Sequence, residues 1–147
     1  MSKSRKTNTY KSLFLSIERS RKLIKEQLTK ALIDSGIRLT FDQWLVLSEI
    51  SANRGINQKN LAGSLHKEVA SISRILNKLQ SATLVTRKEN PENKREFHLY
   101  LTHEGLEIIE SFAGFEEKNL NPIFSSIYER ELNLIVNVLN RLEKDIN

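Results

Sequence analysis

Two short apolar stripes that follow each other closely constrain the fold of this chain most strongly. The first lies in residues 58–65, where Asn57 can cap a short helix. The second runs from about Val69 to Gln80, and two short helices so closely joined form a helix-turn-helix arrangement. The predicted buried stripe of the second helix is Val69, Ile72, Ile75, Leu76 and Leu79.

The period of the pattern changes after Ala82-Thr83. Residues 84–87 and 97–101 are β-favouring runs in which apolar and polar residues alternate. Between them, the polar, turn-rich residues 89–94 predict a hairpin with an extended, charged tip.

Helical patterns flank this central region. Residues 9–33 predict one long helix that ends at Gly36, because glycine readily takes the left-handed conformation that closes a helix. Thr40 and Gln43 have the spacing of a capping box, so a second helix should run from there to about Ser51.

The last third of the chain predicts two more helices. Thr102 can cap a long helix that has Glu104 in its first turn, where the helix dipole favours negative charge. Pro122 should interrupt or restart the chain, and a final amphipathic helix should run to Ile146.

Length, cysteine content and charge restrict the kind of protein that this chain can be. A chain of 147 residues suits one domain, and it has no cysteine for disulfides, thiolate metal sites or redox chemistry. Residues 1–38 carry ten basic and three acidic residues, 39–101 nine and six, and 102–147 four and nine. A basic front and an acidic end suit a protein that faces a polyanion with one side. With neither a membrane span nor a signal peptide in the pattern, a cytoplasmic location is expected.

Four short segments, in this order and spacing, resemble the MarR family of bacterial transcriptional regulators. They are residues 39–47 (LTFDQWLVL), 57–62 (NQKNLA), 71–79 (SISRILNKL) and 101–105 (LTHEG), and the resemblance covers roughly residues 9–145. It implies a mainly α fold with a small β-hairpin wing, in which a winged helix-turn-helix (about 39–101) is flanked by long dimerisation helices (about 9–35 and 102–146). It also implies a homodimer that binds two half-sites of double-stranded DNA about one helical turn apart.

Two positions depart from the family pattern. Most members have a glycine before the first wing strand, where Ala82-Thr83 stands here. The Asp-x-Arg element at the wing tip is replaced by Asn93-Lys94-Arg95, so the arginine is kept without the charged acceptor that usually orients it.

The resemblance assigns the DNA contacts to the second helix of the motif and to the wing. The exposed face of the helix should enter the major groove, where Arg74 can form a bidentate contact with guanine and Lys78 a phosphate contact. Arg95 should enter the adjacent minor groove. The full predicted set is Ala70, Ser71, Ser73, Arg74, Lys78, Arg87, Lys88, Lys94 and Arg95. The alternatives are a solvated helix face and a charged loop tip that keeps a strand edge soluble.

Other functions have less support in the sequence. Relatives often bind aromatic or phenolic effectors, and a pocket for one could be lined by Tyr10, Phe14, Phe41, Trp44 and Phe112. Aromatic residues at helical spacing also serve simply as core. The three histidines include no close pair, so no metal site and no cofactor are predicted. With no nucleophile elbow or phosphate loop, an enzyme is not expected. The alternative function is a helical scaffold or protein-interaction module that does not bind DNA.

Overall fold

The computed structural model describes the backbone of residues 2–147 and the side chains of residues 8–115 and 117–147. Seven helices and a two-stranded sheet follow each other along this part of the chain. Their bounds are α1 (Ser2–Asp34), α2 (Phe41–Ala52), α3 (Gln58–Ser64), α4 (Val69–Ser81), β1 (Val85–Asn90), β2 (Asn93–Leu101), α5 (His103–Ser111), α6 (Ala113–Phe124) and α7 (Glu129–Ile146).

The chain forms two compact units, the first ending at Ala113 and the second comprising Gly114–Asn147. The mainly helical fold with a hairpin wing is the predicted class. Among the described residues, no helix combines the length and the apolar content needed to cross a membrane. The assignment of the whole chain to a single domain stays a prediction.

The first unit is organised around one apolar core. The side chains that are less than 2% exposed come from α1 to α4 and β2, and they are Leu32, Val46, Leu47, Ile50, Leu61, Ile72, Leu76, Leu79 and Leu99. In α4, Ile72, Leu76 and Leu79 are the buried stripe, as predicted. The prediction was wrong for Val69, which is 50% exposed because it stands at the first position of the helix, outside the core.

Local caps fix the helix ends as the sequence indicates. Thr40 and Gln43 form the capping box, with hydrogen bonds of 3.2 and 3.0 Å. Asn57 accepts from the Asn60 amide at 2.8 Å at the start of α3. The end of α1 is closed by Gly36 at φ +75°, as expected, but α1 begins at Ser2 and not at Thr9. The preceding residues lack glycine and proline, so nothing local stops the helix there.

The hairpin differs from its prediction at the tip. Residues 89–94 were expected to form an extended loop, but β1 continues to Asn90 and β2 begins at Asn93, which leaves Pro91-Glu92 as a two-residue turn. The polar composition of residues 89–94 predicts a loop. Pairing of Glu89 with Phe97 and of Asn90 with Asn93 extends the strands instead. The register then shifts, since Asn90 pairs with Asn93 and Glu89 pairs with Phe97. Lys94, Arg95 and Glu96 therefore form a bulge on β2.

The base of the wing is closely packed around Gly105. Thr102 caps α5 by accepting from the Gly105 amide at 3.1 Å, and its hydroxyl donates to the Thr83 carbonyl at 2.5 Å. A Cβ on Gly105 would lie 2.2 Å from the Leu84 carbonyl oxygen. Thr83 itself has φ +60°, a left-handed conformation that is costly for a β-branched residue. Thr83 and Ala82 together stand where most members of the family that the sequence resembles have a glycine before the first wing strand.

The end of the chain is more divided than predicted. The helix that begins after Thr102 ends at Ser111, and α6 follows directly. Pro122 lies inside α6 rather than at a break, and the helix ends two residues later at Phe124. In the second unit, α7 carries large apolar side chains that are 41–75% exposed in the single chain: Leu134, Ile135, Val136, Val138, Leu142 and Ile146.

Candidate nucleic-acid interface

Helix α4 turns one face to the core and the other to solvent. Opposite the buried Ile72 and Leu76, the side chains of Ala70, Arg74 and Lys78 are exposed. Because burial of the apolar stripe fixes the rotation of the helix about its axis, these three residues must face outward together. The structure thus places the helix members of the predicted set on one exposed face or, for the two serines, at its edge.

The two serines have internal contacts. The half-buried Ser73 hydroxyl accepts from the Gln58 amide group at 2.6 Å, which ties α4 to α3. The Ser71 hydroxyl lies 3.4 Å from the Arg74 guanidinium, a weak contact within the helix. Both hydroxyl hydrogens remain able to donate, so these contacts leave the predicted roles possible.

The turn before α4 sets where that face begins. His66 takes φ +49°, and the Lys67 amide donates back to the Ala62 carbonyl at 3.0 Å, which ends α3 within a few residues of the next helix. Glu68 is the N-cap of α4 but gives no side-chain cap. The positive end of the α4 dipole is therefore not offset by a capping side chain.

The basic residues of the wing divide into two pairs. Arg87 is half-buried and donates to the Asn77 side chain at 3.2 Å, while the ammonium of Lys88 lies 5.0 Å from the centre of the Tyr100 ring. Lys94 and Arg95 are exposed in the β2 bulge beside the turn. Arg87 thus links β1 to α4, a structural contact in addition to its predicted phosphate role.

Asn93 contacts the backbone of Arg95. Its side-chain oxygen accepts from the backbone amide of Arg95 at 3.2 Å, a local turn contact, rather than from the guanidinium. Arg95 and Glu96 line a cleft of about 280 Å³ together with Asn57, Val69 and Phe97. The wing arginine therefore lies beside the start of the exposed α4 face.

A cluster of three charged side chains, Asp42, Lys25 and Lys67, holds the turn before α4. Asp42, in the first turn of α2, accepts from Lys67 at 3.0 Å and from Lys25 of α1 at 3.3 Å. Burial alone would raise the pKa of the Asp42 carboxyl, but hydrogen bonds and attraction from Lys67, then Lys25, hold that pKa below its ordinary value of 3.8. Asp42 therefore stays ionised and joins α1, α2 and the motif's turn.

Three of the five predicted pocket residues come together. The rings of Phe41 and Trp44 are 5.6 Å apart, and those of Trp44 and Phe112 are 5.9 Å apart. The indole nitrogen of Trp44 is buried and has no hydrogen-bond acceptor among the described residues. Tyr10 and Phe14, each 64% exposed on α1, were expected to join this cluster, but among the described residues no ring contact places them there.

The histidines are dispersed. His103 lies 3.2 Å from Glu107 one turn along α5, and both side chains are largely exposed. In the part of the chain that the structure describes, no group of three or more histidine, cysteine or acidic residues is placed to hold a metal ion.

Sequence reasoning missed the side chains that hold the motif and wing together. Glu96, Asn57 and Asn90 form one hydrogen-bonded group, and Gln58 and Asn77 contact Ser73 and Arg87 across elements. All are common surface residue types, and three of the four contacts join residues ten or more positions apart, so neither periodicity nor spacing signals them. The capping role of Asn57 was the single local indication.

Together, the closely joined α3 and α4, the hairpin that follows and the core beneath them define a winged helix-turn-helix protein. Residues 39–97 match the model of the MarR family. The chain is 30% identical over 92 residues to the HTH-type transcriptional regulator YdgJ of Bacillus subtilis, a match that covers 63% of this chain and 56% of that relative. The chain is thus similar to the MarR family over residues 39–97, and its match spans a little over half the length of YdgJ.

Solved structures agree with this fold. The transcriptional regulator PA4135 is 26% identical, with a TM-score of 0.77 over 90% of this chain and 96% of its own. A variant of MarR from E. coli, in complex with operator DNA, is 23% identical, with a TM-score of 0.82 over 92% and 96% of the two chains. At 23% identity, the similarity to the E. coli protein shows a shared fold alone.

Proposed function

We propose that this protein binds double-stranded DNA sequence-specifically as a homodimer and regulates transcription, as a repressor that a small-molecule effector releases. The observation that carries the proposal is the exposed face of α4. Arg74 and Lys78 lie on it beside small residues, on a helix whose rotation is fixed by a fully buried stripe. The operator complex of the E. coli relative supports the same use of this fold.

Two residues are assigned to different grooves. Arg74 reads base edges in the major groove, where a good bidentate pair discriminates by about 1–3 kcal/mol. Arg95, exposed in the bulge, senses the negative potential of a narrow minor groove. Ala70, Ser71 and Ser73 allow close approach, and Lys78, Arg87, Lys88 and Lys94 meet phosphates.

The test is binding of Arg74→Ala and Arg95→Ala to three duplexes, namely an operator selected from random DNA, the same operator with its A·T flanks replaced, and random duplex. Arg74→Ala should weaken the operator complex about 10-fold or more and random duplex far less. Arg95→Ala should weaken mainly the A·T-flanked site. Arg38→Ala, an exposed arginine in the loop between α1 and α2, is the control. Equal losses for Arg74→Ala on all three duplexes would contradict base reading.

The homodimer is supported by the exposed apolar side chains of α1 and α7. Leu13 and Phe14 are at least half exposed, and so are Ile135 and Val136 in the second unit. Such surface normally needs a partner. Ile135→Asp should shift the sedimenting species from dimer to monomer, whereas Asn137→Asp, on the same helix, should not. A dimer that survives Ile135→Asp would contradict the use of α7 as interface.

The effector is proposed to be a small aromatic acid or phenol that binds beside Trp44. The buried indole N–H offers a donor for an oxygen of the ligand, and Phe41 and Phe112 offer ring faces. Trp44 is the single tryptophan, so its fluorescence reports binding directly. Titration with benzoate and with phenol should change that fluorescence and release operator DNA together. Binding without DNA release would contradict the effector role.

A further inference from the structure

One acidic side chain of the wing has both carboxylate oxygens engaged in hydrogen bonds. Glu96 lies in the β2 bulge, next to Arg95, and it is half-buried. Its Oε1 accepts from the Asn57 side-chain amide at 2.5 Å, and its Oε2 accepts from the Asn90 side-chain amide at 3.0 Å. Both carboxylate oxygens are thus used, one toward the start of α3 and one toward the end of β1.

Each asparagine is fixed by a second contact. The side-chain oxygen of Asn57 accepts from the Asn60 amide at 2.8 Å, and that of Asn90 accepts from the Glu92 amide at 3.0 Å. Because each oxygen is engaged by a backbone donor, each amino group must face Glu96. The position between them consequently needs a side chain that only accepts, which is a property of an ionised carboxylate.

The bulge explains why this matters. Residues 94–96 have no partner residues on β1 in the strand register, so strand pairing does not fix their conformation. Glu96 ties the end of the bulge to α3, which packs in the core through Leu61, and Asn93 accepts from the Arg95 amide at its start. These two side-chain contacts therefore determine where Arg95 projects.

We propose that Glu96 is the positioning residue of the wing: by accepting from Asn57 and Asn90 it locks the bulge against α3 and orients Arg95 toward the DNA. The proposal rests on the proposed DNA-binding function. A carboxylate near DNA is repelled by phosphates, so its charge opposes binding while its hydrogen bonds favour it. The two effects have opposite signs, which makes them separable by experiment.

The experiment compares Glu96→Gln with Glu89→Gln, an exposed acid of the same hairpin. Both substitutions remove one negative charge. Glu89→Gln should leave affinity for the selected operator unchanged or raise it up to about twofold. In Glu96→Gln the new amino group must face an asparagine amino group, so one contact is lost, and affinity should fall about fivefold.

A second comparison separates positioning from general destabilisation. In an Arg95→Ala background Glu96→Gln should no longer weaken binding, because there is no guanidinium left to orient. The inference is overturned if Glu96→Gln binds operator as Glu89→Gln does, or if it causes the same loss with and without Arg95.

Hydrogen exchange of the amides of residues 94–96 in the free protein makes the test independent of DNA. Exchange there should be at least fivefold faster in Glu96→Gln than in the wild type and unchanged in Glu89→Gln. Failure of the wild type to bind any duplex would refute the proposed function, whereas unchanged exchange in Glu96→Gln would refute the positioning role by itself.

Discussion

Helix α4, the proposed recognition helix, and the wing lie side by side but are held in place by different forces. Helix α4 buries Ile72, Leu76 and Leu79 almost completely. Among the described residues, the buried side chains of the wing strands, Val85 and Leu99, lie at the base of the wing, and its outer part has none. Its bulge is held by hydrogen bonds of Glu96, and its first strand by the contact of Arg87 with Asn77. Complete burial of an apolar side chain contributes more free energy to folding than a solvent-accessible hydrogen bond does. We therefore expect the position of α4 to be rigid and the position of the wing to vary more.

The largest effect should come from Leu76→Ala. This side chain is fully buried beneath the recognition face, and its truncation should lower the free energy of unfolding by about 2–5 kcal/mol. Phe97→Ala, in the wing and 41% exposed, is the control and should cost much less. Denaturant unfolding followed by circular dichroism measures both. If the two substitutions lowered the free energy of unfolding equally, apolar burial would not distinguish the stability of α4 from that of the wing.

The next effect concerns the junction between the two regions. Gly105→Ala would place a Cβ 2.2 Å from the Leu84 carbonyl oxygen, so β1 or α5 must move, at about 1–3 kcal/mol. Gly63→Ala, in α3, meets nothing within 4 Å and should raise stability by up to about 1 kcal/mol through helix propensity. Thermal unfolding of both variants checks the opposite signs. Equal shifts would show that the base of the wing can relax.

These contrasts also explain how far the sequence alone could lead. The stripe of α4 from Ile72 to Leu79 and the caps at Thr40, Asn57 and Thr102 are local patterns, and the structure confirms them. Val69 was wrongly added to that stripe, because its position at the helix start leaves it exposed. The extent of the wing strands was underestimated, because Asn90 and Asn93 join them only by pairing with each other. The Glu96 contact joins residues 39 positions apart, so no local pattern could predict it.

Thr83→Gly should produce a smaller change, of opposite sign. Thr83 precedes the first wing strand with φ +60°, and glycine adopts that conformation without the cost that a β-branched side chain carries. The free energy of unfolding should rise by about 1 kcal/mol, and the hydrogen bond from Thr102 to the backbone carbonyl remains possible. Thr86→Gly, inside β1, should instead lower stability. A loss in both variants would mean that the Thr83 side chain has a role that its conformation does not reveal.

The smallest expected effect tests whether the recognition helix depends on polar ties as the wing does. Asp42 joins Lys25 and Lys67 at the turn before α4, but its side chain is a third exposed, so Asp42→Asn should cost only about 0.5–1 kcal/mol at neutral pH. The pKa of Asp42 is lower in the folded chain than its ordinary value of 3.8, so ionisation favours the folded state. This contribution is complete above about pH 5 and is lost as the pH falls below 3.8.

The difference in unfolding free energy between the wild type and Asp42→Asn should therefore be constant near neutral pH and shrink on acidification. Asp34→Asn, at the exposed end of α1, is the control for general charge effects. Operator affinity of Asp42→Asn should stay within about twofold of the wild type, because the buried stripe of α4 still sets the helix rotation. A loss of affinity as large as that of Glu96→Gln would show that side-chain contacts, and not the core alone, position the recognition helix.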